Sequence, residues 1–330
     1  MRALIAGTRG SALALWQTEH AASLLRAAAA QGGNPLDLKV QIITTRGDTD
    51  QSPVLAGKLG KGFFTQELEA ALRSGEIDLA VHSLKDLPTE PPAGLVNGAI
   101  LERGPAHDLL IARAAAIVPA ANGQLPLKKG ARVGSSSLRR AALLKRYAPD
   151  ASAEPLRGNV PTRVSKLVQG KYDAIVLAAA GVTRLALDVS ACVVLDLNPR
   201  VWVPAPGQGA VAIQCRDDDP DLKDLLDRLT HRATADATAL ERLYLQGLEG
   251  GCTTPFGCLV QGDDVCLGLD IHGGWRGATA ARQPGDSASL AATIEATLTV
   301  MQAGAFREAS SSGNQEWLWR AHQPSEVQVA

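Results

Sequence analysis

The chain has 330 residues, enough for two or three domains that each bury a core. Its 33 Lys and Arg offset 34 Asp and Glu, so no bulk positive field marks it for nucleic acid or for an anionic membrane surface. With 45% apolar and 20% charged residues, and no apolar run long enough to span a bilayer, the pattern is that of a globular protein.

Residues 1–6 run into polar sequence without a long apolar core or an Arg/Ser-rich leader. Five cysteines without framework spacing suit a reducing compartment, so a cytoplasmic location is expected. Short apolar stretches then alternate with helical ones, the mark of an α/β protein. Strands are predicted at 4–6, 40–44, 79–82, 95–100, 132–134, 174–177, 210–214 and 265–269. Helices are predicted at 13–29, 63–74, 138–147, 164–169, 222–231, 235–246 and 289–303. Pro and Gly break the chain at 102–105 and again at 198–207, so a second unit begins near Asp108; the stretch 217–220 introduces a third. Beyond about Ala303 the sequence turns polar, with serines at 310–312, and a loose tail is expected. No internal repeat is visible.

One local pattern recurs at the strand-to-helix junctions: a hydroxyl or glycine beside a cation. It reads Thr8-Arg9-Gly10-Ser11, then Gly60-Lys61-Gly62, then Ser135-Ser136-Ser137-Leu138-Arg139-Arg140, then Arg157-Gly158-Asn159 and Thr162-Arg163. Helix N-termini present free N–H groups and partial positive charge, and Arg or Ser side chains add charge-assisted hydrogen bonds. Taken singly, each junction reads better as a capped helix with a solvated cation. Repeated in a chain of balanced charge, they point to a ligand with many carboxylates.

Two further places carry chemistry. Val81-His82-Ser83-Leu84-Lys85-Asp86-Leu87-Pro88 closes an apolar strand, where open α/β sheets bind ligands. Asp86 there either meets a ligand N–H or a developing positive charge, or pairs with Lys85 and caps a turn; His82 reads as structural. In Leu248-Glu249-Gly250-Gly251-Cys252-Thr253-Thr254-Pro255 the sulfur sits on bare backbone, which lets a large group approach or simply builds a turn. The six histidines show no ligand spacing, and Cys252 with Cys258 is no zinc pair, so no metal is expected.

Together these segments resemble porphobilinogen deaminases (hydroxymethylbilane synthases), in order and over residues 2 to about 303. The matching stretches are Thr-Arg-Gly-Ser at 8–11, Gly-Lys-Gly-Phe-Phe at 60–64, Val-His-Ser-Leu-Lys-Asp at 81–86 and Ser-Ser-Leu-Arg-Arg at 136–140. Arg-Gly-Asn-Val at 157–160, Gly-Gln-Gly-Ala at 207–210 and Leu-Glu-Gly-Gly-Cys at 248–252 complete the set. The resemblance implies three α/β domains. The first two, 1–102 with 204–218 and 103–203, resemble the paired lobes of a type II periplasmic binding protein. The third, 219–330, is a small α+β domain carrying the cofactor cysteine.

It also implies a transferase that condenses four porphobilinogens head to tail, with loss of ammonia, and then releases hydroxymethylbilane by hydrolysis. Cys252 matches the residue that holds one covalent dipyrromethane cofactor per chain through a thioether, and Asp86 matches the catalytic aspartate. Arg9, Ser11, Lys61, Ser83, Lys85, Ser137, Arg139, Arg140, Arg157, Arg163 and Arg184 match positions that contact cofactor or substrate carboxylates. A monomer is expected, with neither nucleic acid nor membrane as partner. Gly10, Phe63, His107 and Pro161 depart from the usual pattern, at the Arg9 loop, the 60–64 segment, the inter-domain crossing and the Arg157–Arg163 loop. Two other readings compete. A two-lobed binding protein needs neither Cys252 nor a third domain, and a cysteine-nucleophile transferase needs a His beside the sulfur, which the sequence does not nominate.

Overall fold

The computed structural model describes residues 3–33, 35–45, 65–119, 123–248, 255–282, 292, 294–299 and 318–322. They fall into two compact units, 1–104 with 209–236 and 105–208 with 237–330. The fold is α/β, as the alternating pattern predicts.

In the first unit, β1 (Ala3–Thr8) leads into α1 (Ala12–Gln31), then β2 (Asp37–Ile42), α2 (Gln66–Ser74) and β3 (Leu79–Ser83). A short 3-10 turn at Leu84–Asp86 and β4 (Leu95–Ile100) follow, and β10 (Val211–Arg216) returns late in sequence. The sheet order is β2-β1-β3-β10-β4, with β1 parallel to both β2 and β3 and β10 antiparallel to both its neighbours. Helix α1 buries Ala14, Thr18, Ala21, Ala22, Leu25 and Ala29. These recur at the three- and four-residue spacing of one helix face, and the alanines let it lie close on the sheet. Leu4, Leu25, Leu38, Leu79, Val81 and Ile213 share that core. Helix α6 (Pro220–Asp227) adds Leu222 and Leu226 to it.

In the second unit, β5 (Asp108–Ala112) precedes β6 (Arg132–Gly134), α3 (Leu138–Tyr147), β7 (Ser152–Glu154) and α4 (Val160–Val168). Then come β8 (Ala174–Ala178), α5 (Ala179–Arg184) and β9 (Val193–Leu197). The order β14-β9-β5-β8-β6-β7 ends on β14 (Trp319–Ala321). Without that last strand this is the path of the first sheet. A parallel trio (β7, β6, β8) is followed by an antiparallel strand from elsewhere in the chain (β5), then by the strand that closes the run (β9). Paired lobes of one topology are what the resemblance implies. The repeat is invisible in sequence because strand order is kept by backbone pairing, which different side chains satisfy equally well.

A third sheet, β11 (Phe256–Gln261), β12 (Asp264–Ile271) and β13 (Gly274–Ala281), is antiparallel throughout. The Trp275 ring packs against Gly268, where a Cβ would come within 2.1 Å of it. Helix α7 (Arg232–Gln246) carries Glu241, a buried carboxylate that accepts from the backbone N–H of Gly207 at 2.7 Å and of Val260 at 2.9 Å. Of the helix predicted at 289–303, the described residues, 292 and 294–299, are helical. Among the described residues no helix is long and apolar enough to cross a membrane.

The polar tail holds a surprise at 318–322. Trp319, Arg320 and Ala321 pair antiparallel with Leu197, Asp196 and Leu195. Leu318 is buried, and Trp319 Nε1 donates to the Gln124 carbonyl at 3.2 Å. Asp196, itself buried, accepts from His107 Nε2 at 2.9 Å and from His322 Nδ1 at 3.1 Å. His107, noted above as a departure, is thus bonded to the strand beside it.

Candidate functional site

The residues singled out by sequence cluster at one end of each parallel trio. In the first sheet, Arg9 and Ser11 follow β1, while Ser83 ends β3 and Lys85 and Asp86 follow it. In the second, Ser137 follows β6, Arg157 and Arg163 follow β7, and Arg184 follows β8. These are the carboxyl ends of the strands, where α/β sheets of this kind hold their ligands.

In the first unit a recess of about 90 Å³ is lined by Arg9, Ser11, Thr65, His82, Ser83 and Asp86, with Leu13, Ala14, Gln17 and Val81. Ser11 caps α1, its Oγ accepting from Ala14 N at 3.3 Å, so the positive end of a 20-residue helix opens into this recess. Gln17, buried on the next turn, donates to Ser83 Oγ at 3.0 Å and fixes that hydroxyl. Leu84 N is tied to the Ala210 carbonyl at 3.0 Å, and Leu87 N closes the 3-10 turn on the Leu84 carbonyl. The turn sends Leu84 and Leu87 inward and leaves Asp86 exposed at its end. The Asp86 carboxylate takes no hydrogen bond from a described residue. A fixed, solvent-facing carboxylate beside Arg9 and a helix N-terminus presents both signs of charge within one small space.

The second unit divides its residues differently. Ser137 caps α3, with Oγ accepting from Arg140 N at 3.4 Å. Asn159 caps α4 through Thr162 N at 2.9 Å, and Pro161 sits in the first helical turn, where no N–H is needed. Gly158 holds φ at +109°, and its carbonyl accepts from Arg163 Nε at 2.7 Å, which shapes the Arg157–Arg163 loop. Arg184 ends α5, and burial brings its guanidinium down to about 10.

Arg139 and Arg140 point inward. Asp108, fully buried, accepts from Arg139 Nη2 at 2.9 Å and from Arg140 Nε at 3.2 Å and Nη2 at 2.7 Å. Trp202 Nε1 at 3.0 Å and Gln208 Nε2 at 2.9 Å complete the ring of donors. Burial alone would raise the Asp108 carboxyl, but the two guanidiniums and their hydrogen bonds hold it far below the usual carboxylate range. Burial lowers Arg139 against the pull of Asp108. The remaining Arg139 and Arg140 bonds go to the carbonyls of Val203 and Val176. Two cations around one anion leave a net positive charge under the N-terminus of α3. Sequence reading missed Asp108, Trp202, Gln208 and Glu241; Asp108 stood only as the start of a unit, and no local signal separates it from Asp37, which also leads a strand and is exposed. Lys61, Phe63 and Cys252 lie outside the described residues.

Fold and site together define an α/β protein whose strand ends carry capped helix N-termini and cations and, after β3, an exposed carboxylate. Residues 4–224 match the family model described as porphobilinogen deaminase, dipyromethane cofactor binding domain. The porphobilinogen deaminase of Nitratidesulfovibrio vulgaris strain DP4 is 46% identical over 266 residues, 80% of this chain and 81% of that protein. Those of Xanthomonas campestris pv. campestris strain B100 and Paenibacillus macerans are 46% and 42% identical, over 81% and 77% of this chain and 84% and 76% of theirs. The chain belongs to the porphobilinogen deaminase family.

Proposed function

We propose that the protein joins four porphobilinogen molecules head to tail, releasing one ammonia at each step, and frees hydroxymethylbilane by hydrolysis, a step of tetrapyrrole biosynthesis. The observation that supports this most is Asp86: an exposed carboxylate on a rigid turn, flanked by Arg9 and the N-terminus of α1.

The first-unit recess fits the cofactor and substrate by its donor set. Each pyrrole ring brings an N–H that needs an acceptor and two carboxylates that need donors. Asp86 is the acceptor; Arg9, the capped end of α1 and Ser83 are the donors. Dipyrromethane, bound through a thioether to Cys252, supplies the pyrrole carbon onto which the first substrate ring is joined. When ammonia leaves the aminomethyl group of porphobilinogen, positive charge spreads over that carbon and its ring. Asp86 stabilises this charge as it forms, and the charge is relieved when the new carbon–carbon bond is made and a proton leaves the attacked ring. Arg157, Arg163, Arg184, Ser137, Lys85 and Lys61 hold carboxylates of the growing chain. Arg139 and Arg140 contribute the net charge beneath Ser137 and fix its helix.

The three-domain division given by the sequence, 1–102 with 204–218, 103–203 and 219–330, is part of this reading and is supported by three separate sheets. The reading also takes the protein as a monomer in the cytoplasm, where a thioether, unlike a disulfide, is unaffected by thiol reductants. The test is Asp86→Asn, which keeps size and removes charge. Turnover of porphobilinogen is expected to fall by roughly 100- to 1,000-fold, the loss typical of one electrostatic group, with circular dichroism and Tm unchanged. Undiminished turnover in a folded variant contradicts the assignment.

A further inference from the structure

Four successive carbonyls between β7 and α4 each accept from a side chain. Tyr172 Oη donates to Pro155 at 2.7 Å, Ser136 Oγ to Leu156 at 2.9 Å, Lys166 Nζ to Arg157 at 2.8 Å and Arg163 Nε to Gly158 at 2.7 Å. Ser136 also accepts from the Leu156 N–H at 3.0 Å, and Leu156 itself is buried. Two of the four donors come from α4. Arg163 and Lys166 are three residues apart on one helix face, and helical side chains lean toward the N-terminus, so both reach back over the turn that precedes the helix. Val164 and Leu167 face the core.

We propose that Lys166 is a positioning residue of this site, its ammonium holding the Arg157 carbonyl so that the Arg157 guanidinium is presented to a ligand carboxylate. The inference rests on the function proposed above and adds a residue to it. With Arg139 and Arg140 turned onto Asp108, the matched cations left at the strand ends of the second unit are Arg157, Arg163 and Arg184. A long side chain loses conformational freedom when it binds, and a fixed backbone root keeps that loss small. The root of Arg157 needs fixing, because the next residue is Gly158, at a φ of +109° and with the least restrained backbone of any residue. Lys166 and Arg163 clamp the peptide groups on its two sides. Both are charge-assisted contacts, stronger than those between neutral groups.

The test compares Lys166→Met, Lys166→Arg, Arg157→Ala and the double variant Lys166→Met with Arg157→Ala, all in the full chain; Lys166→Gln replaces Lys166→Met if the latter does not fold. Lys166→Met removes the donor and is expected to lower kcat/KM for porphobilinogen roughly 10-fold, and Lys166→Arg, which keeps a charged donor, to recover most of it. Arg157→Ala is expected to lose more, roughly 30-fold. The double variant is expected within about twofold of Arg157→Ala, because a residue that acts through Arg157 has no effect once Arg157 is gone. A second readout does not depend on turnover: brief trypsin digestion of the native protein, with the fragments weighed. The Arg157–Gly158 bond is expected to resist in the parent and to be cut in Lys166→Met. Unchanged kcat/KM in Lys166→Met, losses that multiply in the double variant, or equal cutting of parent and variant overturns the inference. Asp86→Asn separates the two claims. If it turns over normally, the proposed function fails; if it is inactive while Lys166 variants behave as the parent, only the role of Lys166 fails.

Discussion

Asp108 organises more of the second unit than any residue the sequence nominates for chemistry. Its two oxygens gather donors from Arg139 and Arg140 on α3 and from Trp202 and Gln208 in the segment after β9. A buried ion pair adds little over an apolar core, but removing one partner strands the other. Asp108→Ala leaves two buried guanidiniums facing each other, so a loss of roughly 3–5 kcal/mol is expected in urea unfolding. A change below about 1 kcal/mol would show that water replaces the carboxylate. His82 provides a second test at this scale. In the folded chain its ring lies at about 4, below the ordinary 6.5, so the unfolded chain binds the extra proton between those values. Stability is therefore intact above pH 6.5 and falls as pH drops towards 4, by roughly 3 kcal/mol over that window at about 1.4 kcal/mol per pH unit. His82→Asn should remove this component of the pH–stability curve, and an identical curve in the variant would contradict the neutral, buried ring.

The elements show where sequence was legible. β4, β6 and α3 have the predicted bounds because each has turn residues at its ends and a regular apolar pattern between. β5 and β9 were not predicted as strands: Asp108–Ala112 is buried on both faces, so it lacks the alternation that marks a half-exposed strand. β13 hides behind glycines and alanines whose strand identity comes from pairing with β12. Helix α5 is short and rich in Ala and Gly, and reads as the end of a strand. The junction residues were legible as anion sites because capping Ser and neighbouring Arg are local signals. The inward turn of Arg139 and Arg140 was not, since it depends on Asp108, some thirty residues away.

β14 was hidden for the same reason, its three residues gaining strand character only against β9. Deleting residues 318–330 removes the buried Leu318 and exposes the β9 edge. A loss of about 1.5–3 kcal/mol is expected by calorimetry, with greater aggregation on heating; full retention of Tm would contradict a structural strand. Asp196 adds an acid dependence. Burial raises its carboxyl, but the hydrogen bonds of His107 and His322 outweigh this and hold it below the usual range. Its contribution is thus full above about pH 4 and is lost as pH falls through the lower folded-state value.

At the scale of the molecule, one topology used twice accounts for the distribution of function. Each parallel trio ends in loops that carry a capping serine and cations, the edges to which the proposed function assigns carboxylate binding. Only the first has an aspartate on its third strand's turn; the second carries Arg184 after the matching strand β8. On this reading the catalytic carboxylate belongs to one unit and the second unit contributes binding. A cofactor with four added rings would carry twelve carboxylates, and with Arg139 and Arg140 turned onto Asp108 only six of the eight matched cations remain for them, so backbone N–H groups, hydroxyls and water must meet the remainder. The central claim is that this chain builds its product on a covalent dipyrromethane. The denatured intact mass of freshly purified protein tests it most directly. The account predicts a gain of two porphobilinogens less two ammonias, absent in Cys252→Ser. An unmodified mass that persists after incubation with porphobilinogen would contradict it.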